Sequence, residues 1–170
     1  MPNNSLAELP IFNGMSTAEV KEALACAHPV EIGAGEQIIN QGQLVPNLWF
    51  IREGRCEVKR RTDAGCELKL AELGPYTQFG EMSFFHTAPH SANVIALTDM
   101  KLLKMAREDY DQLSDDGNPI AFKLAINSLE QLAERLRRTD QWITDLVCKE
   151  GHQPTASEWT SFRMLISRGQ

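Results

Sequence analysis

Gly80, Glu81 and Ser83 stand within four residues of one another, and His90 and Ser91 follow a few residues later. A glycine lets backbone come close to a ligand. A short helical turn beginning near Glu81 aims N–H groups outward, and such a turn is an anion site by geometry and dipole. Ser83 adds a hydroxyl. Glu81 can only accept hydrogen bonds, so beside an anion it suits a sugar hydroxyl. These types at this spacing describe a site for a small anionic ligand that carries hydroxyl groups. Catalysis is not expected, because Ser83 and His90 lack the G-x-S-x-G elbow and a matching acid. His86 and His90 lie four apart on a loop, which is no metal pattern, and neither a metal nor a resident cofactor is expected.

The longer pattern is Phe79-Gly80-Glu81-Met82-Ser83 followed by Pro89-His90-Ser91-Ala92-Asn93-Val94. It resembles the phosphate-binding cassette of cyclic-nucleotide-binding domains, the ligand modules of Crp/Fnr regulators, cyclic-nucleotide-dependent kinases and gated channels. Gly35-Glu36-Gln37-Ile38, Gln41-Gly42-Gln43, Leu48-Trp49-Phe50-Ile51 and Gly54 match further family motifs in order. The resemblance extends over about residues 6–138. It implies that Phe79, Gly80, Glu81, Met82, Ser83, His90, Ser91 and Ala92 form the ligand site. The ligand would be cyclic AMP or cyclic GMP, with its ribose 2′-hydroxyl on Glu81 and its cyclic phosphate on the N–H groups.

Three positions depart from that family: His90, Tyr76 and Thr77, the last of which stands where the family commonly has an acid. His90 stands where the family usually has an arginine. A histidine lacks the permanent charge and planar fork, a loss of about 2–3 kcal/mol against phosphate. Three outcomes stay open: weak cyclic nucleotide binding, a different small anionic ligand, or a ligand-free fold kept for protein interaction and dimerisation. Tyr76 replaces a family glycine. A tyrosine is hard to hold in a glycine-type conformation, so its loop is expected to be redrawn.

The elements that must position these residues can be read from periodicity. Ser16-Thr17-Ala18-Glu19 has the N-cap and acidic first turn of a helix that should run to about Ala27. From Pro29 to Ala106 the chain becomes short alternating strands with glycine turns, which indicates a jelly-roll barrel. Ala106-Arg107-Glu108-Asp109 opens another helix, which Ser114 to Asn118 breaks. Pro119 then suits the first turn of a long helix. Ile120, Leu124, Ile126, Leu129, Leu132 and Leu136 form an apolar stripe along it. The expected fold is α+β: an eight-stranded jelly-roll β-barrel with short N-terminal helices, a cassette helix and a long C-terminal helix. Residues 1–140 form the ligand domain, and residues 141–170 form a helical appendage that breaks near Gly151-His152-Gln153-Pro154.

Bulk properties bound the partners. The 170 residues carry a formal charge of −6, which disfavours nucleic acid. Lys59-Arg60-Arg61 reads as a solvated strand end. The tail after the long helix is short and not basic, so no DNA binding by this chain alone is expected. Four dispersed cysteines read as reduced thiols, and no apolar run approaches a membrane span, which suggests a cytoplasmic protein. The stripe on the long helix either lids its own barrel or, as its length favours, forms a homodimer, and signalling would pass to an effector protein through that helix or the tail.

Overall fold

The computed structural model describes residues 5–149. Two short 3-10 turns, Leu6–Glu8 and Pro10–Phe12, lead into helix α1, Thr17–Ala25. The Ser16 Oγ accepts from the Glu19 N–H at 3.3 Å, and the Glu19 carboxylate accepts from the Ser16 N–H at 2.8 Å. This reciprocal pair satisfies donors that a helix start leaves open.

Eight strands follow: β1 His28–Ile32, β2 Gln37–Ile39, β3 Asn47–Glu53, β4 Cys56–Arg61, β5 Glu67–Leu73, β6 Gln78–Phe79, β7 Asn93–Ala96 and β8 Met100–Ala106. They form two antiparallel four-stranded sheets, ordered β1-β8-β3-β6 and β2-β7-β4-β5. The jelly roll therefore stays open, and the closed barrel expected from the strand count is not formed. Cys56 stands opposite Leu73 in the β4–β5 pair, and Cys56 and Cys66 are both free thiols. Strand β3 explains its unbroken apolar run. Leu48 and Phe50 pack toward the helices, while Trp49 and Ile51 pack between the sheets, so both faces are buried.

Helix α2, Glu81–Phe85, lies between β6 and β7. Helix α3, Arg107–Asp115, follows β8, and α4 runs from Pro119 to Lys149. The chain falls into two compact units, Met1–Gln131 and Leu132–Gln170, and α4 contributes residues to both. The boundary expected after residue 140 falls inside α4, and the break and short helix expected beyond residue 150 lie outside the described residues.

The stripe read along α4 is two faces. Ile120, Ala121 and Leu124 are fully buried in their own unit's core, whereas Phe122, Ile126, Leu129 and Leu136 are exposed. Polar ties fix the inner face. Asn127 Nδ2 donates to the carbonyls of Ile11 and Asn13, at 2.8 and 2.9 Å. Asn118 Nδ2 donates to Glu22 at 2.7 Å, and Lys123 Nζ lies 2.7 Å from Glu19.

The Lys123 ammonium, with the Ser16 donors, lowers the Glu19 carboxyl from 4.5 to about 2. A depressed carboxyl contributes stability that is complete above its unfolded value and lost as pH falls through its folded one. The difference in urea midpoint between wild type and Glu19→Gln should therefore be constant from neutral pH down to 4.5 and close as pH approaches 2. A gap that does not change with pH would contradict this.

Candidate functional site

Strand β6 delivers the chain to Gly80, whose φ is +91°. A Cβ built there would lie 2.4 Å from the Asn47 carbonyl oxygen and 3.3 Å from Trp49 Cδ1. Only glycine satisfies both the dihedral and the space. Phe79, one residue earlier, is buried and stacks on Trp49, with centroids 6.1 Å apart and planes at 9°. That stack anchors the floor beneath the turn, so the predicted site residue Phe79 serves as packing.

Glu81, half-buried, opens α2. The first N–H groups of a helix have no partner within the helix. Ser83 is buried and Met82 is exposed. The far end of α2 is held by Arg107, whose Nη1 donates to the Phe84 carbonyl at 2.6 Å. The same guanidinium lies 5.3 Å from the Tyr110 ring centroid and pairs with Asp111 at 2.7 Å. Phe84, Phe85 and Tyr110 meet edge to face, and the Tyr110 hydroxyl donates to the Ala121 carbonyl of α4 at 3.2 Å. Gln78 and Gln131 join β6 to α4 by a second side-chain bond of 3.3 Å. The cassette helix is thus linked to the start of α4 through Tyr110 of α3.

The second half of the cassette sits against the segment between β2 and β3. The His90 ring is buried, with Nε2 2.8 Å from the Val45 carbonyl oxygen. Its main chain bonds to the same segment on both sides, Gly42 N–H to His90 O and His90 N–H to Gln43 O. Ser91 is exposed and Ala92 is buried. The predicted residues therefore converge through a shared support. Gly80 packs on Asn47, and His90 bonds to Gln43 and Val45 of the same segment.

Several supporting residues escaped the sequence reading. Asn93 Oδ1 accepts from Gln37 Nε2 and from the Gln41 N–H, both at 2.8 Å, locking β7 to β2 and its following turn. Arg107 was legible only as a residue of a helix start. Asn47 and Val45 act through main-chain carbonyls, which carry no side-chain signature.

The turn before β6 differs from its expected redrawing. Tyr76 adopts φ +61° and keeps its N–H on the Ile51 carbonyl at 2.8 Å. The glycine-type turn is retained with a tyrosine in it, at a cost of roughly 1–2 kcal/mol. Its pairing to β3 holds the turn to that geometry. On the outer face of β4 and β5, Lys59 pairs with Glu57, and Lys69 reaches both Glu57 and Glu72. Lys59 of the basic run is thereby neutralised by its own sheet.

The family model of the cyclic nucleotide-binding domain matches residues 29–116, more than half of the chain. The chain belongs to the cyclic nucleotide-binding domain family. Among curated relatives of this domain, the cyclic AMP receptor protein of Thermus thermophilus is 36% identical over 147 residues, covering 86% of this chain and 66% of its own length. A CRP-like cAMP-activated global transcriptional regulator of Mycobacterium tuberculosis is 29% identical over 142 residues, covering 84% and 62%. The crystal structure of the Thermus thermophilus catabolite activator protein superposes with a TM-score of 0.72 at 35% identity, covering 81% of this domain's chain and 62% of that one. The chain thus spans about three fifths to two thirds of the length of these relatives. Among the described residues, no helix of the domain is long and apolar enough to cross a membrane.

Proposed function

We propose that this chain is a non-catalytic regulatory module that binds a cyclic nucleotide, cyclic AMP or cyclic GMP, at the α2 cassette and signals through α4. The observation that carries this reading is Gly80 at φ +91°, pressed against Asn47 and placing Glu81 at the first position of α2. In a member of this family that turn sets the N–H groups of residues 81–83 toward a cyclic phosphate and the Glu81 carboxylate toward a ribose hydroxyl. Ser83 and Ser91 supply further polar groups, with Met82 and Ala92 as apolar neighbours. The names of the bacterial relatives support cyclic AMP as the first ligand to test.

Output would run from α2 through Phe84, Phe85 and Tyr110 to α4, and from there to a second copy of the chain or an effector protein. The acidic balance argues against DNA as the partner of this segment by itself.

Calorimetry against cyclic AMP, cyclic GMP and cyclic dinucleotides tests the proposal. Binding of a cyclic mononucleotide is the expected result. Glu81→Ala should weaken it by about 10- to 150-fold, the range for losing a hydrogen bond to a charged group. No heat at millimolar nucleotide would overturn it. The second reading, a ligand-free interaction and dimerisation module, would then hold. Its specific support is the His90 ring, bonded to Val45 where the family commonly has an arginine for the ligand.

A further inference from the structure

We infer that His90 is a positioning residue whose ring braces the segment from Gly42 to Asn47 against the cassette, and that it does not stand in for the arginine on the ligand. The ring is only 7% exposed, and its Nε2 lies 2.8 Å from the Val45 carbonyl oxygen. A carbonyl oxygen can only accept, so Nε2 carries the proton whether the ring is neutral or charged. The main chain of the same residue makes two more bonds to this segment, Gly42 N–H to His90 O at 2.8 Å and His90 N–H to Gln43 O at 2.9 Å. One residue thus ties down Gly42, Gln43 and Val45 of the opposing chain.

The brace leads directly to the site. The Val45 carbonyl that accepts from His90 also accepts from the Asn47 N–H at 2.9 Å. Asn47 in turn presents the carbonyl oxygen that lies 2.4 Å from the place a Gly80 Cβ would occupy. Fixing Val45 therefore fixes Asn47, and Asn47 limits where the Gly80-Glu81 backbone can lie. Side-chain chemistry separates this role from a ligand contact. Arginine brings a permanent charge and five donors, which one main-chain carbonyl compensates poorly in the ligand-free protein, so it suits a bound phosphate better than this brace. Glutamine is neutral, has comparable reach and can donate its amide N–H to the same carbonyl.

The effect on ligand affinity rests on the cyclic-nucleotide reading above, whereas the bond to Val45 does not, and the experiment separates the two. The full chain and its His90→Gln, His90→Ala and His90→Arg variants are titrated with cyclic AMP. Ligand-free samples are examined by imidazole 15N spectroscopy and amide exchange. The wild-type ring should be the Nε2–H tautomer. His90→Gln should bind within about threefold of wild type, and His90→Ala should bind about tenfold or more weakly, the equivalent of one lost buried hydrogen bond. The amides of Gly42 and Asn47 should exchange about tenfold faster in His90→Ala and stay protected in His90→Gln. Tighter binding by His90→Arg together with weak binding by His90→Gln would place the side chain on the ligand and overturn the inference. An Nδ1–H tautomer, or equal amide protection in all variants, would overturn it as well. If wild type binds neither cyclic AMP nor cyclic GMP, the cyclic-nucleotide reading fails, and the tautomer and exchange data still decide the brace.

Discussion

Replacing Gly80 with alanine should lower the melting temperature by roughly 5–15 °C and abolish ligand binding at the cassette. Two separate costs combine. At φ +91° an alanine pays roughly 1–2 kcal/mol for the left-handed backbone. Its Cβ would also lie 2.4 Å from the Asn47 carbonyl oxygen, a distance that real Cβ atoms do not sustain. The obstructing atom belongs to backbone at the start of β3, so no side chain can swing away, and relief on the order of 1–3 kcal/mol must come from shifting main chain. That shift moves Glu81 and the first turn of α2, the groups proposed to hold the ligand. Thermal unfolding followed by circular dichroism and calorimetry with cyclic AMP check both halves. A variant that melts with wild type and binds equally would show that the turn is not under this constraint.

The glycine turns and the strands were legible because residue type and spacing announce them. What requires them is tertiary: the Asn47 carbonyl presses on Gly80, and two separate cores bury the Leu48 to Ile51 run. Tyr76 was the instructive exception. Its residue type predicted a redrawn loop, yet its bond to Ile51 holds the turn in a left-handed conformation that the side chain disfavours. Tertiary pairing outweighed a local preference of about 1–2 kcal/mol. The open jelly roll was illegible for a related reason. Alternation shows that a strand exists and which residues share a face, but not whether edge strands such as β5 and β6 go on to pair. His90 was located by motif, while its partner Val45 lies 45 positions away and offers only a main-chain oxygen. The stripe on α4 was legible as periodicity. Its division into a face packed on the unit's own core and a face left outside required knowing where that core lies.

That outer face sets the second large expectation. Wild-type protein at tens of micromolar should sediment as a dimer, and Leu129→Glu should sediment as a monomer. Phe122, Ile126 and Leu129 are exposed in the first unit. They recur at steps of four and three, the seam spacing of a two-helix coil. Burying one leucine side chain contributes roughly 1.5–3 kcal/mol. A symmetric pair carries every substitution twice, so losing Leu129 should weaken association by roughly 10²- to 10⁴-fold, before any repulsion between the two introduced carboxylates is counted. The same change should leave the fold of each chain intact, because Leu129 is 62% exposed and the inward side of α4 is held by Ile120, Leu124 and Asn127. Leu124→Glu should instead unfold the domain, since that side chain has no exposed surface. Sedimentation velocity and thermal melts of the two variants distinguish the faces. A monomeric wild type would remove the dimer and leave an effector protein as the proposed occupant of the seam. A Leu129→Glu protein that remains dimeric would place the interface elsewhere on the chain.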